Sequence, residues 1–261
     1  MEGVILNQFG HILGGYLELE GAKIYYEELG LKTAPVLLFL HGAFGNVEDF
    51  NCIISNFHQN YRIIGIDCRG QGKSTLGNVP LTYAQIQKDI ESVLEHLNIN
   101  KLSIIGFSDG GIVAYRLATN KSLTINHLVT IGARWHMKNT EAIQSLIDAT
   151  NSKDIVSQMP DIYYVYMKLA PEPDFSRLTK SLVKMWMDNS ESGYPNEKIK
   201  EITASTLIVR GENDILLYKN AVAEVSKLIN NSKVLEIPSA GHVAFFDGKD
   251  LFLREVNKFL Q

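Results

Sequence analysis

The feature that most restricts this chain is a succession of short apolar runs separated by segments of helical spacing. The runs are Val36–Leu40, Tyr61–Ile66, Leu102–Gly106, His127–Ile131, Thr206–Val209 and Lys233–Ile237. Val36–Leu40 is a solid apolar run, as expected of a strand buried on both faces of a sheet, and the other runs are comparable to it. Between the runs, Val47–His58 carries Phe50, Ile53, Ile54 and Phe57 on one helical stripe. Tyr83–Leu97 does the same with Ile86, Ile90, Val93, Leu94 and Leu97, after Thr82 as N-cap and with Gln85 at the capping-box position. Gly111–Ala118, Lys219–Ile229 and Asp250–Leu260 complete the set. Strands alternating with helices predict parallel βαβ units, hence a doubly wound, mostly parallel α/β sheet. Ahead of them, Tyr16–Glu20 and Ala22–Leu29 alternate and meet at Gly21, which predicts a hairpin with one face in water.

The rhythm breaks between Ala133 and Thr203, which holds no apolar run of strand type. Helix-like stretches (Glu141–Ala149, Asp154–Met159, Ile162–Lys168 and Ser176–Asn189) are separated there by Pro160, Pro171, Pro173 and Pro195. The expected division is an α/β core over 1–132 and 204–261, with a helical cap over 133–203 inserted between two core strands. The insertion is rich in Trp135, Met137, Tyr163, Tyr164, Tyr166, Met167, Met185, Trp186 and Met187. Most of these are expected to bury the cap against the core.

The sharpest chemical signal is Gly106-Phe107-Ser108-Asp109-Gly110, which follows one predicted strand and precedes a helix. The pattern G-x-S-x-G in that setting is a nucleophile elbow, a strained turn that lifts a serine hydroxyl clear of the sheet at a helix N-terminus. A hydroxyl needs a base. Loops at the carboxyl ends of parallel strands converge on one crevice, so a residue just after a strand can meet Ser108 from far away in sequence. Of seven histidines, His242 in Ala240-Gly241-His242 fits best, between the last strand and the last helix. His136 is the other contender, while His58, His96 and His127 lie in or beside predicted elements. An orienting acid is available in Arg210-Gly211-Glu212-Asn213-Asp214, with Glu212 and Asp214 both placed after a strand; Gly132-Ala133-Arg134-Trp135 offers no carboxylate.

Composition narrows the partners. The 25 basic and 29 acidic residues are mixed along the chain with no Lys/Arg block, which argues against a nucleic-acid surface. Cys52 and Cys68 are too few for a disulfide framework and read as reduced thiols. The first residues carry Glu2 and no basic region, so a signal peptide is not expected. No apolar run reaches the length of a membrane span, and a cytoplasmic protein without integral membrane association is the expectation. No metal-ligand cluster or phosphate loop stands out, so neither metal nor cofactor is predicted. The sequence leaves oligomeric state open.

The strings HGAFGN, GIDCRGQGKS, GFSDGG, RGENDIL and AGH, in this order and spacing, resemble the α/β-hydrolase fold superfamily over nearly the whole chain. The resemblance implies a catalytic order Ser108, Asp214, His242 and favours Asp214 over Glu212. It implies an oxyanion hole from the backbone N–H of Asp109 and of Ala43, with Phe44 second, and gives His41 a bracing role. It makes Asp67 and Arg69 structural residues that brace neighbouring loops. Relatives with aspartate at the elbow, the haloalkane dehalogenases and epoxide hydrolases, are disfavoured by Ser108. The expected reaction is hydrolysis of small carboxylic esters through an acyl-serine, carboxylesterase or monoacylglycerol-lipase-like, with Phe44, Asp109, Trp135 and Trp186 as substrate-binding candidates. Three alternatives accompany it. Asp109 could pair with the amine of an amino-acid ester, in an aminopeptidase-like enzyme. The same triad could serve cofactor-free haloperoxidase, perhydrolase or C–C bond chemistry. The fold could also be a small-molecule receptor that is not an enzyme.

Overall fold

Eight strands form one sheet in the order β1-β2-β4-β3-β5-β6-β7-β8 in the computed structural model, which describes residues 8–137 and 155–261 together with 144, 147, 148 and 150. They are β1 (Gly15–Leu19), β2 (Ala22–Gly30), β3 (Val36–Leu40), β4 (Arg62–Ile66), β5 (Lys101–Phe107), β6 (Thr124–Ile131), β7 (Ser205–Gly211) and β8 (Ser232–Ile237). The first two form the expected hairpin, and β2 runs antiparallel to β4; every pairing from β4 through β8 is parallel. The chain winds from β3 out to β4 and then returns to pair β5 on the other side of β3. That reversal opens a crevice at the carboxyl ends of β3 and β5, the usual ligand position of an open α/β sheet.

The helices are α1 (Asn51–Ile54), α2 (Tyr83–His96), α3 (Asp109–Ala118), α4 (Ile155–Gln158), α5 (Pro160–Leu169), α6 (Phe175–Trp186), α7 (Lys219–Leu228), α8 (Ala244–Asp247) and α9 (Lys249–Phe259). Successive strand residues point to opposite faces, and β3 divides accordingly. Leu38 and Leu40 join one buried cluster with Ile86, Ile90 and Val93 of α2, Val113 of α3 and Val222 of α7. Leu37 and Phe39 join a second cluster with Ile53 of α1, Phe245 of α8 and Phe252 and Val256 of α9. The two-faced burial read from the apolar runs is therefore real at the centre of the sheet. Between β6 and β7 the elements found among the described residues are helices; the expected helix over Glu141–Ala149 lies largely outside those residues. Phe175, Leu178, Leu182, Met185 and Trp186 of α6 pack into the first cluster, whereas Tyr164, Met167 and Met187 are exposed.

Three expectations about local structure change. Val47–His58 is not one helix: a 3-10 turn over Val47–Phe50 precedes α1, and turns follow. Asn46 and Asp49 form a reciprocal capping box that tightens this start, yet Phe50, Ile53, Ile54 and Phe57 all stay in the core. Thr82 caps α2 by accepting from Gln85 N, but the Gln85 side chain donates to Asp89 Oδ1 instead of completing a box. Finally, β8 is an edge strand, with Lys233 and Val234 exposed. Its charged residues fit an edge that must not recruit another strand.

The turn after β4 ties the loops below the crevice. Asp67 accepts from Val47 N at 2.9 Å and from Lys73 N at 2.7 Å. Arg69 forms a buried two-pronged ion pair with Asp89 at 2.6 and 2.7 Å. His11 then clasps the N-terminal segment onto this turn, bridging Glu48 at 2.6 Å and Asp67 at 2.7 Å. Burial opposes charging of that imidazole, but hydrogen bonds and attraction from Asp67 and Glu48 outweigh it and hold its pKa above the ordinary value. A histidine with a raised folded pKa stabilises the fold fully below about pH 6.5, its unfolded value, and loses that contribution as pH rises through the folded value. His127 and His136 are held low by burial and so titrate on the other side of that window. The gap in urea midpoint between wild type and His11→Gln is expected to narrow steadily from pH 6.5 upward. A gap that stays constant would remove the clasp from the account.

Candidate active site

The β5–α3 junction builds the elbow. Ser108 adopts φ 51° and ψ −118°, a backbone region that costs a non-glycine residue about 1–3 kcal/mol. The surroundings enforce it: Ser108 N donates to Ile131 O of β6 at 2.8 Å, and its carbonyl accepts from Gly111 N and Ile112 N. Helix α3 is pressed so close to β3 that a Cβ on Gly110 would lie 2.2 Å from Leu40 O. One on Gly106 would lie 2.6 Å from Gly110 O. These two positions admit glycine alone.

Two more strand ends complete the arrangement. The turn after β7 is held against the β8 loop by Glu212 N to Ile237 O and Asn213 N to Ala240 O. It buries Asp214, whose Oδ1 accepts from Leu216 N at 2.8 Å and Leu217 N at 3.1 Å. His242 lies within 2.9–3.0 Å of both Asp214 oxygens through Nδ1, and its Nε2 lies 2.9 Å from Ser108 Oγ. With Nδ1–H donating to the carboxylate, Nε2 is the acceptor for the serine hydroxyl. The three side chains predicted from distant segments thus stand in one hydrogen-bonded line. The competing residues are elsewhere. Glu212 accepts from Ser239 N at the surface, and His136 lies 3.4 Å from Glu224. His41 uses both ring nitrogens to brace its loop, donating to Gly42 O and accepting from Cys68 N.

The line borders a cavity of about 40 Å³ whose wall includes Tyr83, Asp109, Ile112, Arg134, Trp186 and Leu216. That is well below the usual size of small-molecule sites. Asp109 is buried in the wall, where Oδ1 accepts from Tyr83 Oη at 2.8 Å and Oδ2 from Trp186 Nε1 at 2.9 Å. Burial raises its pKa above the ordinary carboxylate value, against the opposing pull of those two donors. Burial and the neighbouring Asp109 likewise push the Tyr83 phenol well up. Of the substrate-binding candidates, Asp109 and Trp186 line this cavity. Phe44 does not: it packs its ring on Phe175 and Trp186, behind the wall. Nor does Trp135, which lines a neighbouring cavity with His136 and Tyr218. The chain turns sharply after β6, and Arg134 takes the place that the sequence suggested for Trp135. Ala43 is partly buried in the loop after β3, beside the elbow through the Leu40–Gly106 register. Among the described residues no cluster of three His, Cys, Asp or Glu side chains is arranged to hold a metal ion. No helix among them is long and apolar enough to cross a membrane.

A family profile described as the alpha/beta hydrolase fold matches residues 35–152, the stretch that holds β3, the crossover and the elbow. A solved meta-cleavage product hydrolase of Pseudomonas fluorescens superposes with a TM-score of 0.79 over 95% of this chain and 97% of its own, at 22% identity. The chain has the α/β-hydrolase fold. The sequence is similar to proteins with different names. It is 25% identical to the proline iminopeptidase PfmaB of Pestalotiopsis fici over 94% of this chain and 99% of that one. It is 24% identical to the esterase YbfF of Escherichia coli over 88% and 94%. The α/β-hydrolase fold accounts for the sheet and elbow, not for the wall of the cavity. Tyr83, Arg134 and Tyr194 escaped the sequence reading because each sits outside the recognisable strings, and Leu216 escaped it although it closes the string RGENDIL. Position after a strand was the one available signal, and it applied to Arg134 as well as to Trp135.

Proposed function

We propose that this α/β hydrolase cleaves small carboxylic esters through an acyl-serine, with Ser108 as nucleophile, His242 as base and Asp214 as the group that orients it. The observation that carries the reading is the Ser108 Oγ to His242 Nε2 contact of 2.9 Å, continued from Nδ1 to Asp214. As Oγ attacks the ester carbonyl, His242 takes its proton and Asp214 stabilises the imidazolium that forms. The backbone N–H groups of Asp109 and Ala43 receive the developing oxyanion, and each such donor is worth ~2.7–4 kcal/mol of transition-state stabilisation. His242 then protonates the departing alcohol, and water repeats the cycle on the acyl-enzyme.

The segment between β6 and β7 acts as a lid in this reading, with Trp186 supplying an apolar wall beside Ser108. Asp109 is a wall-positioning residue here. Its two oxygens already hold Tyr83 and Trp186, which argues against a free carboxylate awaiting a substrate amine. A p-nitrophenyl ester series tests the proposal. Acetate and butyrate are expected to turn over readily, and octanoate about tenfold or more slower in kcat/KM, because a cavity this small excludes long acyl chains. Absence of hydrolysis across the series, with peracid formation or diketone cleavage in its place, would overturn the ester assignment.

A further inference from the structure

Beside the catalytic cavity lies a second, narrower one, of about 10 Å³, lined by Trp135, His136, Leu217, Tyr218 and Ala221. Arg134 and Leu216 belong to the walls of both. We propose that Arg134 makes this site select esters bearing a carboxylate away from the scissile bond, the anion docking where the two cavities meet. The reaction in this statement rests on the ester-hydrolase reading; the binding does not.

Four observations converge on an anion at that place. First, Arg134 is the cationic guanidinium in a catalytic wall whose one carboxylate, Asp109, already takes a donor on each oxygen. Second, Trp135, which lines the second cavity, carries a buried indole N–H with no acceptor among the described residues. A buried donor without a partner is unfavourable, and an incoming acceptor would relieve it. Third, His136 lines the second cavity, its pKa held below the ordinary value by burial against the opposing pull of Glu224, and an imidazole N–H can donate to an anion. Fourth, the cavities are small, which suits a planar carboxylate better than a bulkier phosphate. Arginine presents five N–H donors in a fixed fork. It can keep intramolecular contacts and still grip a carboxylate with two parallel bonds. A carboxylate has acceptor sites enough for that fork and an indole N–H together.

Monomethyl adipate and dimethyl adipate share the scissile methyl ester and differ in the distal charge. For the wild-type protein, kcat/KM on the monomethyl ester is expected to exceed that on the diester by about tenfold or more, chiefly through KM, as befits a charge-assisted hydrogen bond. The ratio is expected to fall toward one in Arg134→Gln and to recover partly in Arg134→Lys, which keeps the charge without the fork. Calorimetric titration of Ser108→Ala with the same two compounds reads binding alone, and the same preference is expected there. Equal binding of the two compounds by Ser108→Ala overturns the proposal whatever the turnover. Equal kcat/KM in the wild type, with hydrolysis intact, overturns it while leaving the ester reading in place. Preference in binding without hydrolysis of either compound upholds the anion site and overturns the ester reading. Thermal unfolding of each Arg134 variant establishes that it is folded, and the wild-type ratio decides the matter should one of them not fold.

Discussion

Ser108→Ala is expected to lower kcat on any hydrolysed ester by about six orders of magnitude, the loss seen when a serine nucleophile is removed from a triad that works as a unit. The prediction rests on geometry. Oγ is the atom that His242 Nε2 faces at 2.9 Å, and the strained backbone at Ser108 exists to present it. Alanine removes the hydroxyl and nothing else. The elbow stays pinned by Ser108 N to Ile131 O and by the two backbone donors on the Ser108 carbonyl, none of which involves the side chain. Both residues pay a similar penalty for a positive φ, so the thermal midpoint is expected to shift by little while activity disappears. A fluorophosphonate probe gives the independent reading: stoichiometric labelling of the wild type, none of the variant. Labelling that persists in Ser108→Ala, or activity reduced only a few fold, would move the nucleophile elsewhere and dismantle the proposed mechanism.

How far a sequence discloses such a site depends on what holds each residue in place. The elbow was legible because its backbone leaves no choice: Gly110 fits only without a side chain against Leu40 O, so a short pattern marks it. The Asp214 and His242 positions were legible because each follows a parallel strand, and parallel strands deliver their ends to one rim. The central strands announced themselves as apolar runs, since both faces of β3 are covered by helices. Where one face or one side is open, the pattern weakens, and β8 was read as a buried strand although it forms the edge. The cavity wall was harder still. Tyr83 starts α2, Asp109 starts α3 and Trp186 ends α6, and the hydrogen bonds that join them span sequence separations of 26 and 77 residues. No local periodicity encodes that meeting. Trp135 and Arg134 differ by one position and share the second cavity, yet Arg134 alone of the two also lines the catalytic one, a difference set by how the chain turns after β6.

Asp214→Asn is expected to reduce kcat by about four orders of magnitude while leaving the fold intact, and the reason lies in which end of the amide the site accepts. Leu216 N and Leu217 N both donate to Oδ1 of Asp214. In the asparagine variant these two backbone donors require an acceptor, so the amide oxygen must occupy that place. The amide nitrogen then takes the position of Oδ2, 2.9 Å from His242 Nδ1, while the amide oxygen, 3.0 Å from the same nitrogen, is already taken by two backbone donors. An NH₂ group there can only donate, so Nδ1 becomes the acceptor and the ring proton moves to Nε2. That proton points at Ser108 Oγ, and the base arrives already protonated. The loss is therefore one of tautomer as well as charge, and it should exceed what removal of a distant charge would cause. Glu212→Gln provides the contrast, since Glu212 binds Ser239 N at the surface and its change is expected to alter kcat less than about twofold. Parallel measurement of kcat and KM on one ester, with imidazole nitrogen shifts read by NMR, separates the possibilities. A variant that keeps its proton on Nδ1 and yet loses activity would defeat the tautomer argument; equal effects of Asp214→Asn and Glu212→Gln would defeat the assignment of the acid itself.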